Sequence, residues 1–270
     1  MSHLAGVIPL AAKPLDFNFP WHDSLMPIGR DYLAVERSVV ECAYMGCDTI
    51  WVVCNDDIQP LVRHRLGDYI QDPVNLYRKH FLGSKQLRKE IPIFYVPLHP
   101  KDKWNCLAWS ILHGANTAYF VGKKISKWTI PDTFYVSFPY GVYPPESVRP
   151  YRQKENVMLS FEGKTVKDGE YLGFMFKEDD YKNFRDNVKS LKVDKNLPLQ
   201  ERWSDEFFTL DKIFKSFIVE CMVVDLPWYK KVDSWEGLRG YLSGEESIER
   251  PSKDILCYHE FNPVGEENAE

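Results

Sequence analysis

The sequence predicts an α/β fold: a mostly parallel mixed sheet flanked by helices, with a hairpin insertion and a helical C-terminal part. Three observations predict it. Apolar or β-branched runs alternate with helix-spaced segments from residue 6 to residue 138. Helices sit between successive runs, as crossovers between parallel strands require. Beyond residue 150 the strands come closer together and are joined through glycine-containing turns.

Each element has its own signal. Gly6-Val7-Ile8-Pro9-Leu10-Ala11-Ala12 reads as the first strand, with Pro9 its imperfection, since proline cannot donate to a ladder. Between 32 and 44, apolar residues at 33, 35, 39, 40 and 43 recur at helical spacing, Gly46 supplies a stop, and 49–54 reads as a buried strand. Asp57 is placed to cap a helix reaching about residue 69. A third strand follows at 91–96, then a helix at 105–118 and a strand at 133–138. In the second half, 157–161 and 171–176 form strands joined through 163–169, which suits a hairpin. Helices are expected at 178–190, 209–218 and 234–243, with a late strand at 219–224. Residues 1–243 form one domain in this reading, and the acidic stretch 244–270 forms a mobile tail.

Composition excludes several function classes. The 270 residues are 44% hydrophobic and 14% aromatic, enough apolar surface for a substantial core. A net charge of -5 with scattered basic residues does not supply the stripe that tracks a nucleic-acid backbone, so no nucleic acid is expected. Cysteines at 42, 47, 54, 106, 221 and 257 match neither a disulfide framework nor a zinc pattern, which points to a reducing cytoplasm. No apolar segment reaches the ~20 residues that span a bilayer, so neither membrane nor export is expected. The eight Trp and fifteen Tyr suit a homo-oligomer or a protein partner as well as a core.

Ligands of open α/β sheets bind beyond the carboxyl ends of the strands, which directs attention to the segment after Leu10-Ala11-Ala12. Ile8-Pro9-Leu10-Ala11-Ala12, a loop, Leu25-Met26-Pro27-Ile28-Gly29, a helix and Gly46-Cys47-Asp48-Thr49-Ile50-Trp51-Val52-Val53 together resemble the start of sugar-1-phosphate nucleotidyltransferases. The resemblance continues at Ser160-Phe161-Glu162-Gly163-Lys164, at Gly173-Phe174-Met175-Phe176, at 209–214 and at Lys231-Val232-Asp233-Ser234-Trp235. It spans roughly 5–243 and implies a Rossmann-like, GT-A-type fold. It also implies magnesium and transfer of a nucleotidyl group from a nucleoside triphosphate to a sugar 1-phosphate.

In that family a glycine-rich loop offers backbone N–H groups to the triphosphate, helped by an Arg and a Lys, and two Asp residues hold Mg2+. This chain departs from the pattern at three places. Lys13-Pro14-Leu15-Asp16-Phe17-Asn18-Phe19 contains no glycine, Asp23 stands near the lysine position, and Val136-Ser137-Phe138-Pro139-Tyr140-Gly141 stands where the family has a strand ending in Gly-Asp. A register shift that brought Asp132 to that place would restore the carboxylate.

What the resemblance retains is a short set of candidates. Lys13 and Lys164 are the catalytic candidates, Asp233 is the metal candidate, and Leu10, Ala11, Ala12, Lys13, Trp104 and Asn105 are the nucleotide-binding candidates. Each has a plainer reading beside it: Lys13 as a solvated loop residue, Lys164 as a turn lysine, Asp233 as a helix cap, and Trp104 as packing over the sheet edge. Asn55-Asp56-Asp57 reads as an acidic metal pair or as a helix cap, and His22 and His113 receive no role.

Two classes of function follow. One is a divergent nucleotidyltransferase acting on a nucleotide or nucleotide sugar. The other is an inactive protein on the same fold that binds such ligands or serves in an assembly. A glycosyltransferase ranks below both, because no Asp-x-Asp follows the expected strand.

Overall fold

The computed structural model describes residues 3–11, 15, 17–82, 89–98, 106–152, 156–191, 194, 196–198, 202, 209–214, 220–252 and 254–256. Strand β1 (Leu4–Pro9) is followed by the short strands β2 (Pro27–Gly29) and β3 (Tyr32–Leu33), helix α1 (Ala34–Met45) and β4 (Thr49–Cys54). Next come α2 (Gln59–Leu66), β5 (Tyr69–Gln71), α3 (Pro73–Leu82), β6 (Glu90–Pro97), α4 (Leu107–Ile125), β7 (Thr133–Val136) and β8 (Gly141–Val142). The chain continues through β9 (Val157–Ser160), β10 (Phe174–Lys177), α5 (Glu178–Ser190), α6 (Leu210–Phe214), β11 (Met222–Asp225), β12 (Lys230–Lys231) and α7 (Trp235–Leu242).

Eight strands form one sheet in the order β11-β9-β10-β7-β1-β4-β6-β5. Its centre, β7-β1-β4-β6, is parallel, whereas β10 runs antiparallel to β7 and β5 antiparallel to β6. The pleat divides the core into two layers. Leu4, Ile8, Ile50, Val52 and Cys54 face α1, while Ala5, Val7, Trp51 and Val53 face α4. Gly114 lets α4 press onto the sheet: a Cβ there would lie 2.7 Å from Val53 and 2.8 Å from Val7.

Where elements differ from the sequence reading, local chemistry explains the difference. The first strand ends at Pro9, which pairs only with β4, so its missing N–H falls on the side where the ladder to β7 has already stopped. The helix expected to reach residue 69 stops at Leu66 because Gly67 takes φ +75°, and Tyr69–Gln71 becomes an edge strand. Asp57 lies ahead of that helix, where Ile58 occupies the cap and Asp57 accepts only the neighbouring Ile58 N–H at 3.0 Å. The helix expected at 105–118 spans 107–125. The hairpin reading corresponds to β9 and β10, which are antiparallel neighbours joined through a turn and a short 3-10 helix.

The stretch after α7 packs onto the body as far as it is described. Ile248, Ile255 and Leu256 are buried, and the Ile255 carbonyl accepts the Gln71 N–H at 3.0 Å. Residues 257–270 of the expected tail lie outside the described residues. Among the described residues, no helix is long and apolar enough to cross a membrane.

Candidate functional site

Strand order reverses at β1, with β4 on one side and β7 on the other, so the switch point at which open α/β sheets bind their ligands lies beyond the carboxyl ends of β1 and β7. Two stretches meet there. Leu10 and Ala11 leave β1, and Ser137-Phe138-Pro139-Tyr140 leave β7, with the Ser137 N–H donating to the Val7 carbonyl at 3.1 Å. The short ladder between β8 and β12 then brings the loop before α7 to the same edge: Lys231 pairs with Gly141, and the Val232 N–H donates to the Tyr140 carbonyl at 2.9 Å.

A cavity of about 290 Å³ opens at this edge. Leu107 at the start of α4, Asp168, Tyr171, Asp211, Lys231 and Asp233 are among its lining residues. The Lys231 ammonium lies 3.2 Å from the Asp233 carboxylate, donates to the Gly169 carbonyl at 3.3 Å and sits 5.2 Å from the centre of the Tyr171 ring. Asp168 accepts the Thr165 N–H at 2.9 Å, and a hydrogen bond from Thr209 holds the Asp211 carboxyl below its usual range. Three Asp residues and one Lys thus line one cavity, and the ammonium pairs with Asp233.

The cap reading of Asp233 and the metal reading can now be compared. Ser234 caps α7, its hydroxyl accepting the Gly237 N–H at 3.2 Å, so Asp233 does not have that task. Magnesium at nucleotide sites is usually held by one or two protein carboxylates, with waters and substrate phosphates completing its octahedron. Among the described residues no group of three or more His, Cys, Asp or Glu is arranged to hold a metal, and Asp233 is already paired with Lys231. Among the described residues the protein by itself supplies no multi-carboxylate cage for magnesium, and Asp233 remains the carboxylate that would contribute to one completed by a ligand's phosphates. Asp132 does not supply the missing carboxylate either: it precedes β7 at the opposite end of the sheet, where its N–H donates to the His3 carbonyl at 3.0 Å.

The end of β7 is sealed into the core. Arg37 and Glu41, one turn apart on α1, form a 2.8 Å ion pair with both side chains fully buried. Glu41 also accepts hydrogen bonds from Tyr135, from Ser137 at 2.5 Å and from Tyr143 at 2.6 Å. Arg37 donates to the Phe138 carbonyl at 2.6 Å and packs on the Tyr143 ring. Burial alone would lower the Arg37 pKa, but Glu41 and then Tyr143 raise it above its usual value. Burial and the neighbouring carboxylate push Tyr135 and Tyr143 well up, so both stay protonated as donors.

The other sequence candidates are dispersed. Leu10 and Ala11 are buried, and both N–H groups donate to the same Val53 carbonyl, at 2.8 and 3.1 Å. Lys164 is exposed on a tight turn closed by paired backbone bonds with Phe161, and it does not line the cavity. Ala12, Lys13, Trp104 and Asn105 lie outside the described residues. His22 caps a 3-10 turn through the Ser24 N–H, and the His113 ring meets the Pro97 carbonyl at 3.0 Å.

Sequence reasoning missed Lys231, Asp168, Asp211 and the Arg37–Glu41 pair. An Arg and a Glu four apart on a helix ordinarily mark a solvated face, yet every residue of α1 is buried. The loop corresponding to the glycine-rich segment also has an unforeseen form. Phe17 stacks on Phe19 and Phe19 on Trp21, with ring centres 5.0 and 5.5 Å apart, and both phenylalanines meet Trp235 edge to face.

The fold as a whole is sugar-1-phosphate nucleotidyltransferase-like, on the strength of its likeness to solved structures. Two solved structures share this fold. A glucose-1-phosphate thymidylyltransferase of Bacillus anthracis, in complex with sucrose, superposes with a TM-score of 0.51 at 10% identity, covering 93% of this chain and 98% of that one. A UDP-glucose pyrophosphorylase complexed with UDP-glucose gives a TM-score of 0.51 at 14% identity, covering 89% of this chain and 97% of that one. No family model and no curated protein matches the sequence.

Proposed function

We propose that this protein binds a nucleotide sugar at the carboxyl edge of its sheet without transferring a nucleotidyl group. One observation carries the reading: the stretch 136–141, where the resemblance expects the first magnesium carboxylate, has none, and its Ser137 and Phe138 are fastened to the buried Arg37–Glu41 pair. The backbone supports it as well. The N–H groups of Leu10 and Ala11 are spent on Val53 and are not free to meet a phosphate. The Asp residues that line the cavity supply acceptors to which the hydroxyls of a sugar can donate.

Titration calorimetry with each nucleoside triphosphate and with nucleotide sugars, with and without magnesium, tests this reading. The expected result is nucleotide-sugar binding that does not depend on magnesium, with no pyrophosphate release. Magnesium-dependent turnover abolished by Asp233→Ala would overturn it.

A second reading, a working nucleotidyltransferase, is favoured by the freedom of Asp233 from capping duty. In that reading Asp233 and Mg2+ serve the chemistry, Lys164 and Lys13 meet the phosphates, and Trp104 and Asn105 lie against the base. The same titrations separate the two.

A further inference from the structure

The turn that ends α1 brings two cysteines together. Gly46 takes φ +91°, its N–H donates to the Ala43 carbonyl at 3.1 Å, and the Cys47 N–H reaches back to the Cys42 carbonyl at 3.1 Å. This paired closure folds the chain back on the last helical turn and sets residue 47 against residue 42. Both thiols are free, and both side chains are fully buried.

The central strand makes room for the pair. A Cβ on Gly6, inside β1, would lie 2.9 Å from Cys42 Sγ and 3.1 Å from Cys47 Sγ, so the two sulfurs flank one point of the strand. Glycine weakens a strand interior, and here it is the residue that admits both sulfurs. A disulfide requires α-carbons ~4.4–6.8 Å apart, and two residues joined directly by a backbone hydrogen bond approach that closely. Any small apolar pair would close such a turn; two thiols add a chemistry that other small residues lack. The other described cysteines stand elsewhere: Cys54 ends β4, Cys106 caps α4 and Cys221 precedes β11.

We propose that Cys42 and Cys47 are a redox couple, which a hydroperoxide converts to a disulfide tying the end of α1 to the approach to β4. One sulfur attacks a peroxide oxygen, the O–O bond breaks, and a sulfenic acid forms as an alcohol or water leaves. The second sulfur attacks the first, the S–S bond forms, the S–O bond breaks, and water departs with the remaining thiol proton. Two thiols and one hydroperoxide thus give one disulfide, one alcohol or water, and one further water. The two electrons lost by the sulfurs reduce the O–O bond, and an external dithiol reverses the change by exchange. Burial, and then the Cys47 thiol beside it, pushes the Cys42 thiol well above its ordinary value, so the closed pair holds little thiolate. The reaction proceeds as the last turn of α1 opens locally, which makes this a slow, gated couple. It is independent of the function proposed for the cavity.

The experiment uses the full-length chain carrying Cys54→Ala, in which tryptic peptide 38–63 retains Cys42 and Cys47 as its two cysteines. The folded protein is exposed to millimolar hydrogen peroxide, denatured with iodoacetamide, digested and weighed by mass spectrometry. Most of the peptide is expected to lose two hydrogens and take no alkyl group, and dithiothreitol added before alkylation is expected to restore both alkylation sites. The oxidised protein is expected to unfold at a higher urea midpoint that dithiothreitol reverses, a shift absent when Cys42→Ala is added. Two alkyl groups on the peptide, after an exposure that has fully oxidised Cys221, overturn the proposal. Sulfinic or sulfonic acid at either cysteine without a disulfide overturns it, as does a disulfide that forms only when the chain is first unfolded in urea.

Discussion

Arg37 and Glu41 pair at 2.8 Å with neither side chain reaching solvent, and between them they hold the two residues that follow β7. Removing one member of a buried pair leaves the other charge without compensation. Glu41→Ala is therefore expected to cost about 3–5 kcal/mol of folding stability, read by urea denaturation. A loss below about 1 kcal/mol would show that the pair is not the fastening described.

Ser137→Asp puts a carboxylate back at the end of β7, but directly against Glu41 in a buried setting. Two like charges there are expected to destabilise the chain by more than about 2 kcal/mol without creating magnesium affinity. A stable variant that binds magnesium in calorimetry would mean that the position is open to the crevice.

Gly46 ends α1 at φ +91°, and a Cβ there would lie 2.7 Å from the Arg152 side chain. Arg152 in turn donates to the Ala43 carbonyl and pairs with buried Asp72. Gly46→Ala combines left-handed strain with displacement of that side chain, and a loss of roughly 2 kcal/mol is expected from thermal or urea unfolding. Gly46→Asn, which tolerates the left-handed region better, should lose less of the strain part.

Burial pushes the His22 imidazole from its ordinary 6.5 down to about 4, with Asp57 opposing the shift. Its folded pKa lies below the unfolded one, so the unfolded chain takes up the proton first. The stabilisation is complete above pH 6.5 and is lost as pH falls toward 4. Burial lowers His3 in the same direction. His22→Gln, which keeps an acceptor for the Ser24 N–H, is expected to reduce the stability slope in that window without abolishing it. An unchanged slope across pH 4–6.5 would remove His22 as a source.

Much of the fold was legible because its signals are local. The apolar run 49–54, the helix stop at Gly46 and the helix at 178–190 each depend on neighbours in sequence, and the structure places them there. The absence of glycine from 13–19, the Asp at 23 and the Ser-Phe at 137–138 were legible for the same reason. Asp233 was visible as a carboxylate ahead of a helix, but choosing between cap and cavity residue required knowing that Ser234 makes the cap.

By itself, then, the sequence determined the longer strands and helices of the sheet and the chemical departures from the family pattern, since both are written in short stretches of residues, whereas short elements such as β5 and α3 were not read. Only the tertiary structure decided what those departures become. Whether Arg37 and Glu41 face water or the core, whether Lys231 meets Asp233 beside a cavity, and whether Phe17 supports Trp235 across 218 positions all depend on which distant segments pack together. No local pattern encodes that packing, because the same charged and aromatic residues are equally compatible with a solvated face until a partner from elsewhere in the chain covers them.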